Sequence, residues 1–75
     1  MNEAIEMQII REIYADALET VERTKERQKE FTEHGDAWSS AIYGDKVSER
    51  ERAANRIRSV CIRHGFDPAK DYEEK

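Results

Sequence analysis

The sequence predicts an all-α protein in which a long N-terminal helix packs antiparallel on a shorter third helix, with a short connecting helix between them. Three observations support this prediction. Residues 3–33 contain no Gly or Pro, their apolar side chains recur every three or four positions, and a helix-capping pattern precedes a second apolar stripe. The 75 residues allow one small helical domain, 1–75, a helical hairpin or bundle that we expect oligomerisation to complete.

The first predicted helix spans about residues 3–33 and consists mostly of residues with high helix propensity. Its apolar positions alternate spacings of three and four, so they form a seam along one side of the helix. The seam residues are Met7, Ile10, Tyr14, Ala17, Val21 and Phe31, with Thr24 and Gln28 at two polar positions. Asn2 is a good N-cap, and Gly35 predicts the end of the helix.

Further isoleucines of this helix lie outside that seam and widen its apolar surface. A helix that is apolar over so much of its circumference needs neighbouring elements on two sides to bury that surface. We therefore predict that Ile5, Ile9, Ile13 and Tyr14 form a self-association surface, most simply in a homodimer. Residues 22–30 contain no apolar side chain, so this charged half either projects into solvent or meets a polar partner.

The middle of the chain is predicted to form a short helix followed by a turn. Residues 37–43 follow an N-cap at Asp36 and precede Gly44 and Asp45, which we interpret as a helix end. This segment includes Trp38, the only tryptophan of the chain. We expect the segment to fold back and cover one end of the core.

The third predicted helix spans about residues 49–64 and begins at a capping box formed by Ser48 and Glu51. Its small and apolar residues form a stripe made of Ala53, Ala54, Ile57, Val60 and Cys61. A polar tail at about residues 68–75 is expected to fray. Because the third helix spans about 24 Å and the first about 45 Å, the third can cover only half of the first.

The net charge of −4 conceals an uneven distribution of charge along the chain. Residues 1–22 carry six acidic residues and one arginine, whereas residues 49–64 carry five arginines and two glutamates. We interpret this asymmetry as complementary charge between two segments that pack together. The residues that we predict to bind an external protein partner are charged: Arg23, Arg27, Glu30, Arg52, Arg56 and Arg63.

Four carboxylates, Glu19, Glu22, Glu33 and Asp36, form two pairs with three-residue spacing. This pattern resembles the magnesium site of all-α nucleoside-triphosphate pyrophosphohydrolases, in which the two pairs lie on two antiparallel helices. On one helix the pairs would lie roughly 15–20 Å apart, so we expect solvated charges here. The single Cys61 lies on an apolar stripe, where a thiol is usually inert. We therefore predict a protein that is not an enzyme and has no metal or cofactor.

Two alternatives to a protein-binding module stay open. Residues 36–64 can be interpreted as a helix-turn-helix whose arginines face phosphates, although the acidic net charge disfavours nucleic acid. The run from Ser48 to Arg52, which precedes an alanine-rich stretch, is similar to phage-encoded helical-hairpin sponges for cyclic-nucleotide signals. That resemblance implies a small-ligand site at an oligomer interface.

The general character of the chain, small, acidic and helical, is also typical of phage or mobile-element inhibitors. We therefore predict a non-enzymatic, homo-oligomeric inhibitor or adaptor that binds another protein. The chain has no apolar run long enough for a membrane span and no basic-then-apolar leader, so we expect a cytoplasmic protein without membrane contact.

Overall fold

The computed structural model describes residues 4–70, which form two long helices and a short C-terminal segment. Helix α1 spans Ile5–Glu33 and helix α2 spans Ala37–Arg63. The connection between them reverses the chain, so the helices pack antiparallel as a hairpin measuring 51 × 21 × 15 Å. The described part is all-helical with no strand, which confirms the predicted fold class. The predicted N-cap at Asn2 and the end of the tail lie outside the described residues.

The prediction of a short connecting helix at 37–43 and a separate third helix at 49–64 is wrong, because both segments belong to α2. Gly44 does not end a helix. A Cβ atom built on it would lie 2.9 Å from Nε2 of Gln28, so its missing side chain leaves room for that amide. A glycine inside a helix costs about 1 kcal/mol relative to alanine, which a long packed helix can tolerate. Ser48 likewise lies within α2 and caps no helix.

The continuity of α2 also overturns the inference drawn from helix lengths. Helix α1 has 29 residues and α2 has 27, so α2 accompanies nearly all of α1. The charged stretch 22–30 therefore does not project freely. Thr24 is buried and Gln28 is half-buried between the helices. Just beyond, the ring centroids of Phe31 and Tyr43 lie 5.2 Å apart across the hairpin.

The core follows a seven-residue repeat, which is the spacing of an antiparallel coiled coil. Fully or nearly fully buried side chains on α1 include Tyr14 and Val21, and those on α2 are Val47, Ala54 and Cys61, seven residues apart. Ala54 is the most buried of them, at 1% exposure. Because its side chain is small, the two helices can approach closely at this position. The predicted placement of Cys61 on a buried stripe is confirmed.

One layer of this core is polar. The Oγ1 of Thr24 accepts a hydrogen bond of 2.6 Å from Nη1 of Arg50 and donates one of 2.7 Å to the carbonyl of Thr20. The buried hydroxyl is thus satisfied on both sides, as a buried polar group must be if it is not to destabilise the fold. A polar layer of this kind favours the pairing of the helices in which its partners meet.

Both helices end in the same hydrogen-bonded motif. After α1, the N–H of Gly35 donates to the carbonyl of Thr32, and the N–H of Asp36 donates to that of Phe31. This is a Schellman motif, and it requires the left-handed backbone that Gly35 adopts at φ 78°. The Nδ1–H of His34 also donates to the carbonyl of Glu30 at 2.8 Å, so it satisfies a backbone acceptor of the last turn.

The second helix ends at His64, followed by Gly65 at φ 84°, and here the motif turns the chain back onto the hairpin. Phe66 and Pro68 are buried, and the guanidinium of Arg11 lies 5.0 Å from the centroid of the Phe66 ring. Arg11 also donates to the carbonyls of Pro68 and Lys70. We call residues 66–70 the C-terminal segment.

The C-terminal segment is also fastened to α2. The carboxylate of Asp67 accepts two hydrogen bonds of 3.1 Å from Nε and Nη2 of Arg58, and a third, of 2.9 Å, from the N–H of Ala69. These three donors, the Arg58 side chain first, lower the pKa of Asp67 from 3.8 to about 2. The segment is therefore attached to both helices at the open end of the hairpin, away from the turn.

Candidate functional site

The two sides of the hairpin can be told apart by the positions that flank the core. On one side, Nζ of Lys25 lies 3.3 Å from Oε2 of Glu51, and this hydrogen-bonded pair raises the pKa of Lys25. Arg11 precedes Lys25 by two seven-residue repeats, and Arg58 follows Glu51 by one. These residues therefore lie on the same side, and the C-terminal segment attached to Arg11 and Arg58 covers it at the open end. We call it the covered side.

The opposite side of the hairpin, which we call the open side, carries an apolar surface. Thr20 and Arg27 line a groove on this side together with Tyr43 and Arg50. Ile13 precedes Thr20 by seven residues and so lies on the same side. Extending the register of the Thr24–Arg50 contact places Ile13 level with residue 61 of α2.

Four side chains make up this surface, which we name the isoleucine face: Ile5, Ile9, Ile13 and Val60. Ile5, Ile9 and Ile13 follow each other at four-residue spacing along α1, and they are 71%, 51% and 52% exposed. Val60 of α2 is 39% exposed. It lies two repeats after Lys46, whose Nζ is 4.6 Å from the ring centroid of Tyr43 in the groove of the open side, so Val60 lies on that side as well. Scattered exposed apolar residues are ordinary in a small protein, but a contiguous row indicates an interaction surface.

The structure places the predicted self-association residues in two different environments. Ile5, Ile9 and Ile13 are exposed, as a surface for another molecule requires. Tyr14 is only 7% exposed and packs between α1 and α2, so it is not part of the isoleucine face. Val60 was predicted to lie on the stripe of the third helix together with Ala53, and not on the self-association surface, but both side chains are exposed.

Charged residues without partners border the isoleucine face. Glu12 and Asp16 line a shallow depression together with Ile9 and Ile13. Neither carboxylate forms an ion pair or a hydrogen bond with any side chain of residues 4–70. On the outer surface of α2, the exposed Arg56 and Arg63 are seven residues apart, and they too have no ion-pair partner in the described part of the chain. The face is thus acidic on its α1 edge and basic on its α2 edge.

The predicted partner-binding residues of α1 are instead engaged in local pairs. Nη2 of Arg23 lies 3.2 Å from Oε1 of Glu19, and Nη1 of Arg27 lies 3.6 Å from Oε1 of Glu30. All of these side chains are well exposed, so each pair contributes little to stability. Arg52 is exposed and, within the described residues, has no ion pair, as is the case for the two arginines on the edge of the isoleucine face.

Three of the four carboxylates of the pyrophosphohydrolase-like pattern, all except Glu33, also have local partners. Glu19 pairs with Arg23, Glu22 lies 3.6 Å from Nζ of Lys25, and Asp36 accepts a hydrogen bond of 3.0 Å from the N–H of Ser39. That hydrogen bond lowers the pKa of Asp36. No group of three or more His, Cys, Asp or Glu side chains suited to a metal ion occurs within residues 4–70.

Two further sequence interpretations are corrected by the continuous α2. A helix-turn-helix over residues 36–64 is wrong, because no turn interrupts Ala37–Arg63. Trp38 was expected to cover the end of the core, but its side chain is 77% exposed. It lies in the first turn of a helix that continues straight, so it points away from the seam rather than across it.

Comparisons of the chain with protein-family models, with curated proteins and with solved structures find no match. No helix in the described part of the chain combines the length and apolar character that crossing a lipid bilayer requires.

Proposed function

We propose that this hairpin is a non-enzymatic protein-binding module that self-associates through the isoleucine face as a homodimer. The observation that carries the proposal is the row of Ile5, Ile9 and Ile13, which runs from the outer surface of α1 onto the open side and leaves each side chain at least half exposed. On the covered side the C-terminal segment buries Phe66 and Pro68 at the same end, while Leu18 and Ile62 stay 43% and 48% exposed. A second copy would give the isoleucine face a comparable cover.

The magnitude of burial corresponds to a weak dimer. Full burial of an aliphatic side chain is worth about 1.5–3 kcal/mol, so burying the exposed half of one contributes about 1 kcal/mol. The isoleucine face has four such side chains in each copy, which gives about 8 kcal/mol for a dimer. Because association costs at least about 4 kcal/mol, apolar burial alone leaves at most about 4 kcal/mol, which corresponds to a dissociation constant of about 1 mM.

Static light scattering at protein concentrations up to about 1 mM tests this proposal. Ile9→Glu places a charge in the isoleucine face and should give a monomer. Ile62→Glu is the matched control, since Ile62 has nearly the same exposure, 48% against 51% for Ile9. Ile62 lies on the covered side, because it follows by seven residues Asn55, which lines a groove there with Lys25 and Glu51. Circular dichroism checks that both variants stay helical. The proposal requires a dimeric wild type, a dimeric Ile62→Glu variant and a folded, monomeric Ile9→Glu variant.

Two results would overturn the proposed homodimer. A wild-type chain that is monomeric at all concentrations would remove the homodimer. Equal loss of mass in both variants would show that association does not depend on the isoleucine face.

We also propose a role as inhibitor or adaptor, which the same arrangement supports. Self-association uses the open end of the hairpin and leaves the turn end free. There Trp38 is largely exposed. Tryptophan is enriched among residues that dominate binding energy in protein interfaces. We therefore include Trp38 in the proposal as the anchor for an external protein, and a Trp38→Ala variant should stay dimeric.

A further inference from the structure

We infer that the second copy binds with its two-fold axis parallel to the helices, so that α1 of each copy lies on α2 of the other. This inference rests on the proposed homodimer and adds its geometry. A two-fold axis that relates two stacked hairpins can run along the helices or across them. The first choice brings the two open ends together, and the second turns one hairpin end over end.

The position of the isoleucine face favours the parallel axis. The face occupies only the open end of its side, with Ile13 and Val60 at the same level and Ile5 nearest the end of the hairpin. Towards the turn, the same side is polar and is lined by Arg27 and other charged residues. Turning one hairpin over its midpoint would place isoleucines against those charges. A parallel axis places the isoleucine face of one copy on that of the other.

The unpaired charges beside the face favour the same arrangement. In the register of the Thr24–Arg50 contact, Glu12 is level with residue 62 and Asp16 with residue 58. Arg63 and Arg56 are one and two residues away from those levels, which is about 1.5–3 Å along the axis. Rotation about a parallel axis keeps every residue at its own level. It therefore brings the acidic edge of each α1 to the basic edge of the partner's α2.

An axis across the helices that is centred on the isoleucine face would give a different result. It would lay α1 on α1, with Glu12 and Asp16 of one copy close to the same carboxylates of the other. Like charges at close range oppose association. The two arginines of α2 would then stay unpaired in the dimer. Charge complementarity thus separates two arrangements that bury the same isoleucines.

A charge-reversal experiment tests the pairing. Asp16→Arg and Arg56→Asp should each raise the dimer dissociation constant about tenfold, because each reversal turns a weak exposed attraction into a repulsion and the pair occurs twice in the dimer. The double variant restores opposite charges and should recover most of the wild-type affinity. Arg52→Asp is the matched control, since it reverses a similarly unpaired arginine that lies farther towards the turn. Additive weakening in the double variant would contradict the pairing.

A distance measurement between the two turn ends tests the axis directly. Nitroxide labels on Ala37→Cys, in a Cys61→Ala background, report the separation of the tips by pulsed electron resonance. With a parallel axis the tips lie side by side, about 15–30 Å apart from interhelical spacings and label length. With an axis across the helices the tips lie at opposite ends, separated by the hairpin length of 51 Å or more. A dimer with the long distance overturns this inference and leaves the proposed function intact, whereas a monomer overturns both.

Discussion

Replacing Gly44 by alanine should stabilise the protein, and the magnitude can be worked from the structure. Alanine is better than glycine inside a helix by about 0.8–1 kcal/mol. The new Cβ would lie 2.9 Å from Nε2 of Gln28, which is too close, but that atom is the far end of a flexible side chain. Moving the amide by a few tenths of an ångström costs about 0.5 kcal/mol or less. The net expectation is a gain of about 0.5 kcal/mol in the free energy of unfolding.

Urea denaturation followed by circular dichroism at 222 nm measures this change, at one fixed protein concentration. The same substitution in a Gln28→Ala background should show the whole gain of about 1 kcal/mol, because the crowding contact is absent. Gly44→Val is the opposing control. Its branched side chain has to enter the space that Gln28 occupies, and we expect it to destabilise by about 1–3 kcal/mol.

A loss of stability in Gly44→Ala would refute this reasoning. If Gly44 ended a short helix in the left-handed conformation, a Cβ would cost about 1–2 kcal/mol and the sign would reverse. The experiment therefore distinguishes one continuous α2 from two helices separated by a turn, which is the point on which the sequence interpretation and the structure differ.

Two further predictions concern the C-terminal segment. Phe66→Ala removes a buried ring that lies under the Arg11 guanidinium, so it should destabilise the protein by about 3 kcal/mol. Urea unfolding of the variant should show a correspondingly lower midpoint. An unchanged midpoint would mean that the segment does not pack on the hairpin. Asp67→Asn should remove part of the acid sensitivity of the fold. Because the pKa of Asp67 is lowered from 3.8 to about 2, the ionised carboxylate stabilises the fold fully above about pH 4 and loses that contribution as the pH falls towards 2. The thermal unfolding midpoints of wild type and variant should therefore converge over that range, and parallel curves of midpoint against pH would contradict the Arg58 contact.

The sequence could predict an all-helical hairpin because each signal that it used is local. Helix α1 is free of Gly and Pro, and its end and that of α2 are both followed by a glycine, Gly35 or Gly65, which the structure confirms as left-handed. The seam on α1 could likewise be predicted from the spacing of apolar residues, because Tyr14 and Val21 occupy positions that repeat every seven residues.

The continuity of α2 could not be predicted, because the same residues fit both a turn between two helices and the interior of one helix. A glycine followed by Asp45, with Ser48 ahead of Glu51, is a turn and a capping box when considered alone. Gly44 also suits a position where another side chain approaches closely, and only the facing Gln28 decides between the two. That neighbour is distant in sequence, so no local pattern reveals it.

The candidate site was predictable in part for a similar reason. The off-seam spacing of Ile5, Ile9 and Ile13 predicts a second apolar surface, and the structure leaves those side chains exposed. Which side of the hairpin remains open depends on the C-terminal segment, and nothing in the spacing of Phe66 and Pro68 indicates which side they cover. The homodimer itself remains a prediction.

The antiparallel arrangement around a three-residue turn has a consequence for the order of folding. Contacts near the turn join residues close in sequence, such as Thr32 and Ser40, whereas Arg11 meets Pro68 across 57 positions. Closing a longer loop costs more entropy, so we expect folding to begin at the turn and to proceed towards the open end. Substitutions near the turn should then slow folding, while those at the open end should chiefly speed unfolding. The isoleucine face lies at the end that forms last, so a chain would complete its own hairpin before presenting that surface to a second copy.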